Sequence, residues 1–210
     1  QQILMRKFFS DNKLSVELGQ RIWKYIKNTH FNNRTRMPLE DLPFVGILPL
    51  GLKRDLSEEL YRPYLTRLPF LLHFASIEPE GLGELSLRAV GEGLALAEDE
   101  LFFDSQPAER IYIGTAGKMK YTDAETLIET TIKPGTWVAE PALWFQWHHF
   151  GQLACITSVE FLVLKPDEFA NVIREQHSLT FAREYASCFA RYLTRLDDGR
   201  SWKTDLITDR

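Results

Sequence analysis

Lys133-Pro134-Gly135-Thr136-Trp137-Val138-Ala139-Glu140-Pro141-Ala142-Leu143, running on as Trp144-Phe145-Gln146-Trp147-His148-His149-Phe150, is the stretch around which the chain is organised. Pro134 presets φ at one corner of a turn, and Gly135 supplies the positive φ that the next corner takes. A short apolar strand follows, then a single acid, Glu140, and a tight Pro/Ala/Leu segment. Pro141 has no backbone N–H to donate. Four aromatic residues, Trp144, Phe145, Trp147 and Phe150, then crowd beside the adjacent pair His148-His149.

Outward from this stretch the pattern is that of short strands. Alternation and β-favouring residues predict strands at Leu94-Ala97, Glu100-Phe103, Ile111-Ala116, Lys118-Tyr121, Thr126-Ile132, Leu153-Ile156 and Glu160-Leu164, separated by turn pieces such as Asp104-Ser105-Gln106-Pro107. Many short strands closely spaced imply a small sandwich or barrel.

Helices flank the strands. Leu14, Leu18, Ile22, Tyr25 and Ile26 share a helical face with Trp23 beside them, after Ser10-Asp11-Asn12 as a cap region. A second helix is predicted over Leu52 to Leu68 from Leu56, Leu60, Tyr64 and Leu68, with Pro63 kinking or splitting it. Leu68 to Phe74 reads as an apolar connector. Pro79 to Val90 reads as a helix on Leu82, Leu85, Ala89 and Val90, ended by Gly91 and Gly93. After the strands, Lys165-Pro166-Asp167-Glu168 opens a helix buried through Phe169, Val172 and Ile173, with Pro in its first turn and acids at the positive end of its dipole. A longer helix runs from about Ser178 to Leu196, striped by Ala182, Tyr185, Phe189, Tyr192, Leu193 and Leu196. The tail from Gly199 to Arg210 lacks periodicity. The fold class expected is α+β: a helical segment, an antiparallel β-roll and C-terminal helices, grouped as 1–75, 76–198 and a tail 199–210.

Composition bounds the rest. The chain has 210 residues, 44% hydrophobic, and holds no apolar run near the roughly 18–20 residues of a membrane span. A net charge of −4 argues against nucleic acid as a main partner. Residues 1–36 carry eight basic and two acidic residues, a local +6, which points to an acidic protein surface or anionic lipid, or else to a solvated helix face. The two cysteines, Cys155 and Cys188, make no disulfide framework and are both expected in the core. The chain opens Gln1-Gln2 with no signal-like segment, so a piece of something longer is expected. Catalytic motifs are missing: there is no P-loop, His-Glu-x-x-His or Gly-x-Ser-x-Gly, and Gly91-Glu92-Gly93 lacks the third glycine of a dinucleotide loop. The expectation is a non-enzyme.

The stretch 133–150 resembles the phosphate-binding cassette of cyclic-nucleotide-binding domains, where a Pro-Gly turn precedes aromatic-Gly-Glu-x-x-Leu, a loop and an Arg before the next strand. Gly135, Glu140 and Leu143 match; Ala139 stands at the Gly, Pro141 removes an N–H, and His149 falls near the Arg. Ile111 to Lys118 resembles the family's strand ending in Gly, and Phe161 to Phe169 its last strand entering the hinge helix. Leu14 to Ile22 and Leu50 to Phe74 resemble the C-linker that joins pore to binding fold in hyperpolarisation-activated, cyclic-nucleotide-gated and ether-à-go-go-type channels. The Glu140-Pro141 pair and the absent Arg lean to the ether-à-go-go type, whose domains do not use the nucleotide.

This resemblance implies a cytoplasmic gating module of a voltage-gated cation channel, in first place a potassium channel. It implies a homotetramer assembled through residues 1–75 and attached to a transmembrane pore. The degenerate cassette is Ala139, Glu140, Pro141, Ala142, Leu143 and His149. His is mostly neutral at pH 7 and offers one donor where an Arg fork would grip a phosphate, so cyclic AMP or cyclic GMP is expected to bind weakly or not at all. Two rivals stay open: a working cyclic-nucleotide sensor, and an interaction module with no channel. Glu140 accepts a ribose hydroxyl on the family reading, or caps backbone N–H groups on the plain one. The pocket is expected to hold part of the protein itself, with Tyr192-Leu193-Thr194 and Ser201-Trp202-Lys203 as the two candidates.

Overall fold

The computed structural model describes residues 8–30, 38–197 and 204–206. Contacts divide the chain into two units, Gln1–Met37 and Pro38–Arg210, so the helices between residues 50 and 77 fall with the roll, a different division from the 1–75 grouping.

In the first unit a turn of helix at 8–11 precedes helix α1, Val16–His30. Ser15 rather than the expected Ser10-Asp11-Asn12 sits at its start, its Oγ accepting from the Leu18 N–H at 3.2 Å. One short helix cannot enclose an apolar stripe. Leu14, Ile22 and Trp23 are half-buried, while Val16, Leu18 and Tyr25 are exposed and the Ile26 side chain lies outside the described residues. Phe9, Leu14, Val16 and Trp23 line an apolar cleft of about 400 Å³.

The second unit begins with two 3-10 turns, Leu39–Asp41 and Pro43–Ile47, the first tied to the roll by the Leu39 N–H donating to Glu92 Oε2 at 2.9 Å. Helices α2 (Leu50–Leu65), α3 (Pro69–Ile77) and α4 (Pro79–Arg88) follow. Pro63 lies in the last turn of α2, where the helix ends two residues later, so it terminates the helix instead of splitting it. The buried line of α2 is Ser57, Tyr61 and Leu65, carried on by Leu68, one residue round from the predicted stripe. The expected connector 68–74 is helix α3. Its first residue is Pro69, a position that needs no N–H, and Phe70, Leu71, Phe74 and Ala75 are buried.

Eight strands then form two antiparallel sheets: β1 (Val90–Ala95), β8 (Val159–Leu164), β3 (Ile111–Ala116) and β6 (Trp137–Val138) in one, and β2 (Glu100–Phe102), β7 (Gly151–Cys155), β4 (Met119–Asp123) and β5 (Glu129–Ile132) in the other, each in that spatial order. Helices α5 (Pro166–Glu175) and α6 (Leu179–Asp197) close the chain's regular structure, so the class is α+β as read. Gly91 and Gly93 do not end α4 but lie in β1, where Phe161 and Val163 of β8 lie so close that side chains on β1 would meet them.

The first sheet is buried on both faces because its side chains alternate between two cores. Ile111, Ile113, Leu162 and Leu164 face the helices, with Leu65, Leu68, Phe70, Leu71, Leu82 and Phe169; Tyr112, Phe161 and Val163 face the roll interior, with Phe102, Met119, Tyr121 and Leu153. The cassette straddles them: Val138 and Ala139 belong to the roll interior, and Ala142 and Leu143 to the helical core.

Only one of the two cysteines is internal. Cys155 is buried, its thiol pushed up to about 12 by burial and then by the charge of Asp99, whereas Cys188 on α6 is exposed, with Arg191 Nη2 3.2 Å from its sulfur. Because the thiolate is the reacting species, iodoacetamide at pH 8 is expected to alkylate Cys188 at least about a hundredfold faster than Cys155. Peptide mapping of the native and urea-unfolded protein checks this, the difference vanishing on unfolding.

Candidate functional site

The Pro-Gly turn has the type II form: the Thr136 N–H donates to Lys133 O at 3.1 Å, and Gly135 takes φ 88°. A side chain at Gly135 would collide with the Arg67 guanidinium. After β6, Ala139 adopts φ 70° and ψ 34°, a left-handed conformation costing a non-glycine residue about 1 kcal/mol. This is where the cassette resemblance expects glycine. The chain then turns into a 3-10 helix, Glu140–Leu143, all four residues buried.

Glu140 is 1% exposed, and its carboxylate accepts from Trp137 Nε1 at 2.8 Å and from the Tyr185 hydroxyl of α6 at 3.4 Å. It links the cassette to the last helix through side-chain donors. Trp144 completes that link, packing edge-on to Phe70 and Phe169 and tilted against Tyr185, with ring centroids 4.9 to 5.5 Å apart. Of the aromatic group at 144–150, Trp144 thus fills core.

The loop 144–150 is pinned by backbone bonds: Ala108 N–H to Trp147 O at 2.8 Å, His149 N–H to Gln106 O at 2.9 Å and Ser105 N–H to His149 O at 2.8 Å. His148 is exposed and His149 is buried, so the pair does not share a site. The His149 ring stacks on Phe102 of β2, centroids 3.6 Å apart and planes 5° from parallel.

What His149 faces is the tail. Thr204-Asp205-Leu206 enters the roll beside the cassette, and the carboxylate of Asp205, a residue 1% exposed, gathers donors from three directions. Oδ1 takes Trp147 Nε1 at 2.9 Å and lies 3.1 Å from His149 Nδ1; Oδ2 takes the Tyr121 hydroxyl at 3.0 Å and the Phe150 N–H at 2.8 Å. A carboxylate only accepts, so Nδ1 carries the proton in that bond. A buried charge persists only when so surrounded. The main chain is held as well, the Ala139 N–H donating to Asp205 O at 2.9 Å and the Asp205 N–H to the Tyr121 oxygen at 3.2 Å. Leu206 packs against the roll interior. Burial, and then the neighbouring Asp205 charge, push the Tyr121 phenol well above its usual range, which keeps it a neutral donor.

The structure therefore brings Ala139, Glu140, Pro141, Ala142 and Leu143 into one buried turn and sets His149 behind it, facing Asp205. Tyr192 and Leu193 are half-buried on α6, and Trp202 lies outside the described residues. Asp205, Tyr121 and Phe102 were missed. The one local sign of the first is an acid beside the apolar pair Leu206-Ile207 in an aperiodic tail. No protein-family model matches the sequence, and no curated protein matches it.

Proposed function

We propose that this chain is a regulatory module of the cyclic-nucleotide-binding-homology type, carried on the cytoplasmic side of a tetrameric voltage-gated potassium channel, with its nucleotide pocket filled by its own tail. The observation that carries the reading is Asp205. Asp205 bridges the two cassette positions at which the resemblance expects the cyclic phosphate to be gripped, its backbone carbonyl accepting from the Ala139 N–H and its carboxylate facing His149. A tethered occupant loses little translational freedom, and its carboxylate is met by hydrogen-bond donors without an Arg. The exposed apolar residues of α1 fit assembly, because stripes of this kind find partners. Among the described residues no helix is long and apolar enough to cross a membrane, so a pore would be supplied by sequence outside them.

Calorimetric titration with cyclic AMP and cyclic GMP tests the pocket. No binding is expected below about 1 mM, since the ligand must displace the tail and then bury a phosphate with no fixed cation beside it. A low micromolar dissociation constant would contradict the reading. In the full-length protein under voltage clamp, Asp205→Ala is expected to displace the activation midpoint by tens of millivolts while current is retained. An unchanged midpoint in a variant whose tail is shown to have left the pocket would remove the regulatory role.

A further inference from the structure

The Asp205 site reads a peptide. Two donors meet each carboxylate oxygen. The Ala139 N–H reads the carbonyl that follows the acid, the Tyr121 oxygen reads the N–H that precedes it, and the next side chain lies against the roll's apolar interior. A cyclic phosphate has no group corresponding to the amide N–H or the aliphatic neighbour. The groups that hydrogen-bond Asp205 belong to Tyr121, Ala139, Trp147, His149 and Phe150, and the cluster under Leu206 lies within residues 95–163, so these walls are built without the tail. The walls therefore make the same contacts with any segment of that chemistry.

We propose that the pocket is a receptor for an acidic peptide: an Asp followed by an aliphatic residue, presented by another polypeptide chain, which takes the pocket when the chain's own tail is out. The inference rests on the reading that the pocket is occupied by peptide rather than by nucleotide. Discrimination is built into the donor set. An Asn side chain would turn its NH₂ toward groups that are themselves donors, leaving buried partners unpaired. The tethered tail competes from within the same molecule, so a partner binds only when its local concentration is high or the tail has been released.

The test uses the full chain and two variants altered in the tail alone, Asp205→Ala and Leu206→Asp, the second setting a charge against the roll interior. Far-UV circular dichroism confirms that each is folded, and amide exchange at Ala139 confirms that the pocket is empty. The probe is the capped peptide Lys-Thr-Asp-Leu-Ile, with its Asn counterpart and cyclic AMP as controls. The expected result is binding of the Asp peptide to either folded variant, at least about tenfold weaker binding of the Asn peptide, and none to the wild-type chain at the same concentrations. Equal binding of both peptides, or no binding to an emptied pocket, would overturn the inference while leaving the proposed function standing. Cyclic AMP binding to the emptied pocket in place of the peptide would overturn both. The source of the natural peptide follows from sedimentation of wild-type chain mixed with Asp205→Ala chain. Co-sedimentation assigns the donor to a second copy and independent sedimentation to a different protein, and the receptor is upheld in either case once the Asp peptide binds.

Discussion

Replacing Phe70 by Ala is expected to destabilise the second unit by about 3–5 kcal/mol, the range for emptying a fully buried aromatic site. Phe70 is 1% exposed, and its ring meets those of Phe74, Trp144, Phe169, Phe181 and Tyr185, with centroids 4.9 to 5.8 Å away. Those partners belong to α3, the cassette loop, α5 and α6, so the void would open where four segments meet, and no single side chain can shift to fill it. The same helix carries its own control: Leu72 is 54% exposed, and Leu72→Ala is expected to cost less than about 0.5 kcal/mol. Urea unfolding of the three proteins checks both numbers. A loss near 1 kcal/mol for Phe70→Ala would mean that α6 does not depend on this cluster for its place on the roll.

Asp205→Ala should cost about 2–4 kcal/mol, and the ceiling has a physical origin. Removing the carboxylate strips the Tyr121 hydroxyl, Trp147 Nε1, the Phe150 N–H and His149 of their acceptor, at about 1–3 kcal/mol for each donor left buried and unpaired. The tail has a cheaper course, which is to undock and let water reach them. The loss therefore stops at the free energy with which the tail docks. Exchange of the Ala139 and Phe150 amides should accelerate by about a hundredfold or more, while amides in β3 and β8 keep their protection. Equal loss of protection throughout would show instead that the tail belongs to the global folding unit.

Much of this fold could be read residue by residue, because the informative residues act locally. Pro134-Gly135 defines its own turn, the stretch Ile111-Ala116 alternates between two cores, and Pro166 with Asp167 and Glu168 marks a helix start. Helix α3 escaped because apolar Leu72 and Ile77 stand on its exposed face, so hydrophobicity does not follow the 3.6-residue period that burial does, and Pro69 reads as a breaker unless it is known to sit at a helix start. Gly91 and Gly93 read as stops because their cause, the rings and methyls of Phe161 and Val163, lies on a strand some seventy residues away. The cassette positions were visible in the same local way as the turn. Asp205 was not, since its partners are 55 to 84 positions distant and a single acid in an aperiodic tail carries no pattern. The expectation of a self-filled pocket came from the ether-à-go-go resemblance, supported by the missing Arg. Its two candidates were Tyr192-Leu193-Thr194, for its place at the end of the long helix, and Ser201-Trp202-Lys203, for an aromatic ring in place of the base, whereas the occupant described is the small acid Asp205.

The most direct measurement of the central claim is the nuclear Overhauser contact pattern of the Asp205 amide in the wild-type chain. The account predicts strong cross-peaks from that amide to the Tyr121 ring, together with cross-peaks between the Leu206 methyls and side chains of the roll interior, unchanged by millimolar cyclic AMP. An Asp205 amide at its random-coil position with no contact to Tyr121, or one whose contacts vanish as nucleotide is added, would contradict it.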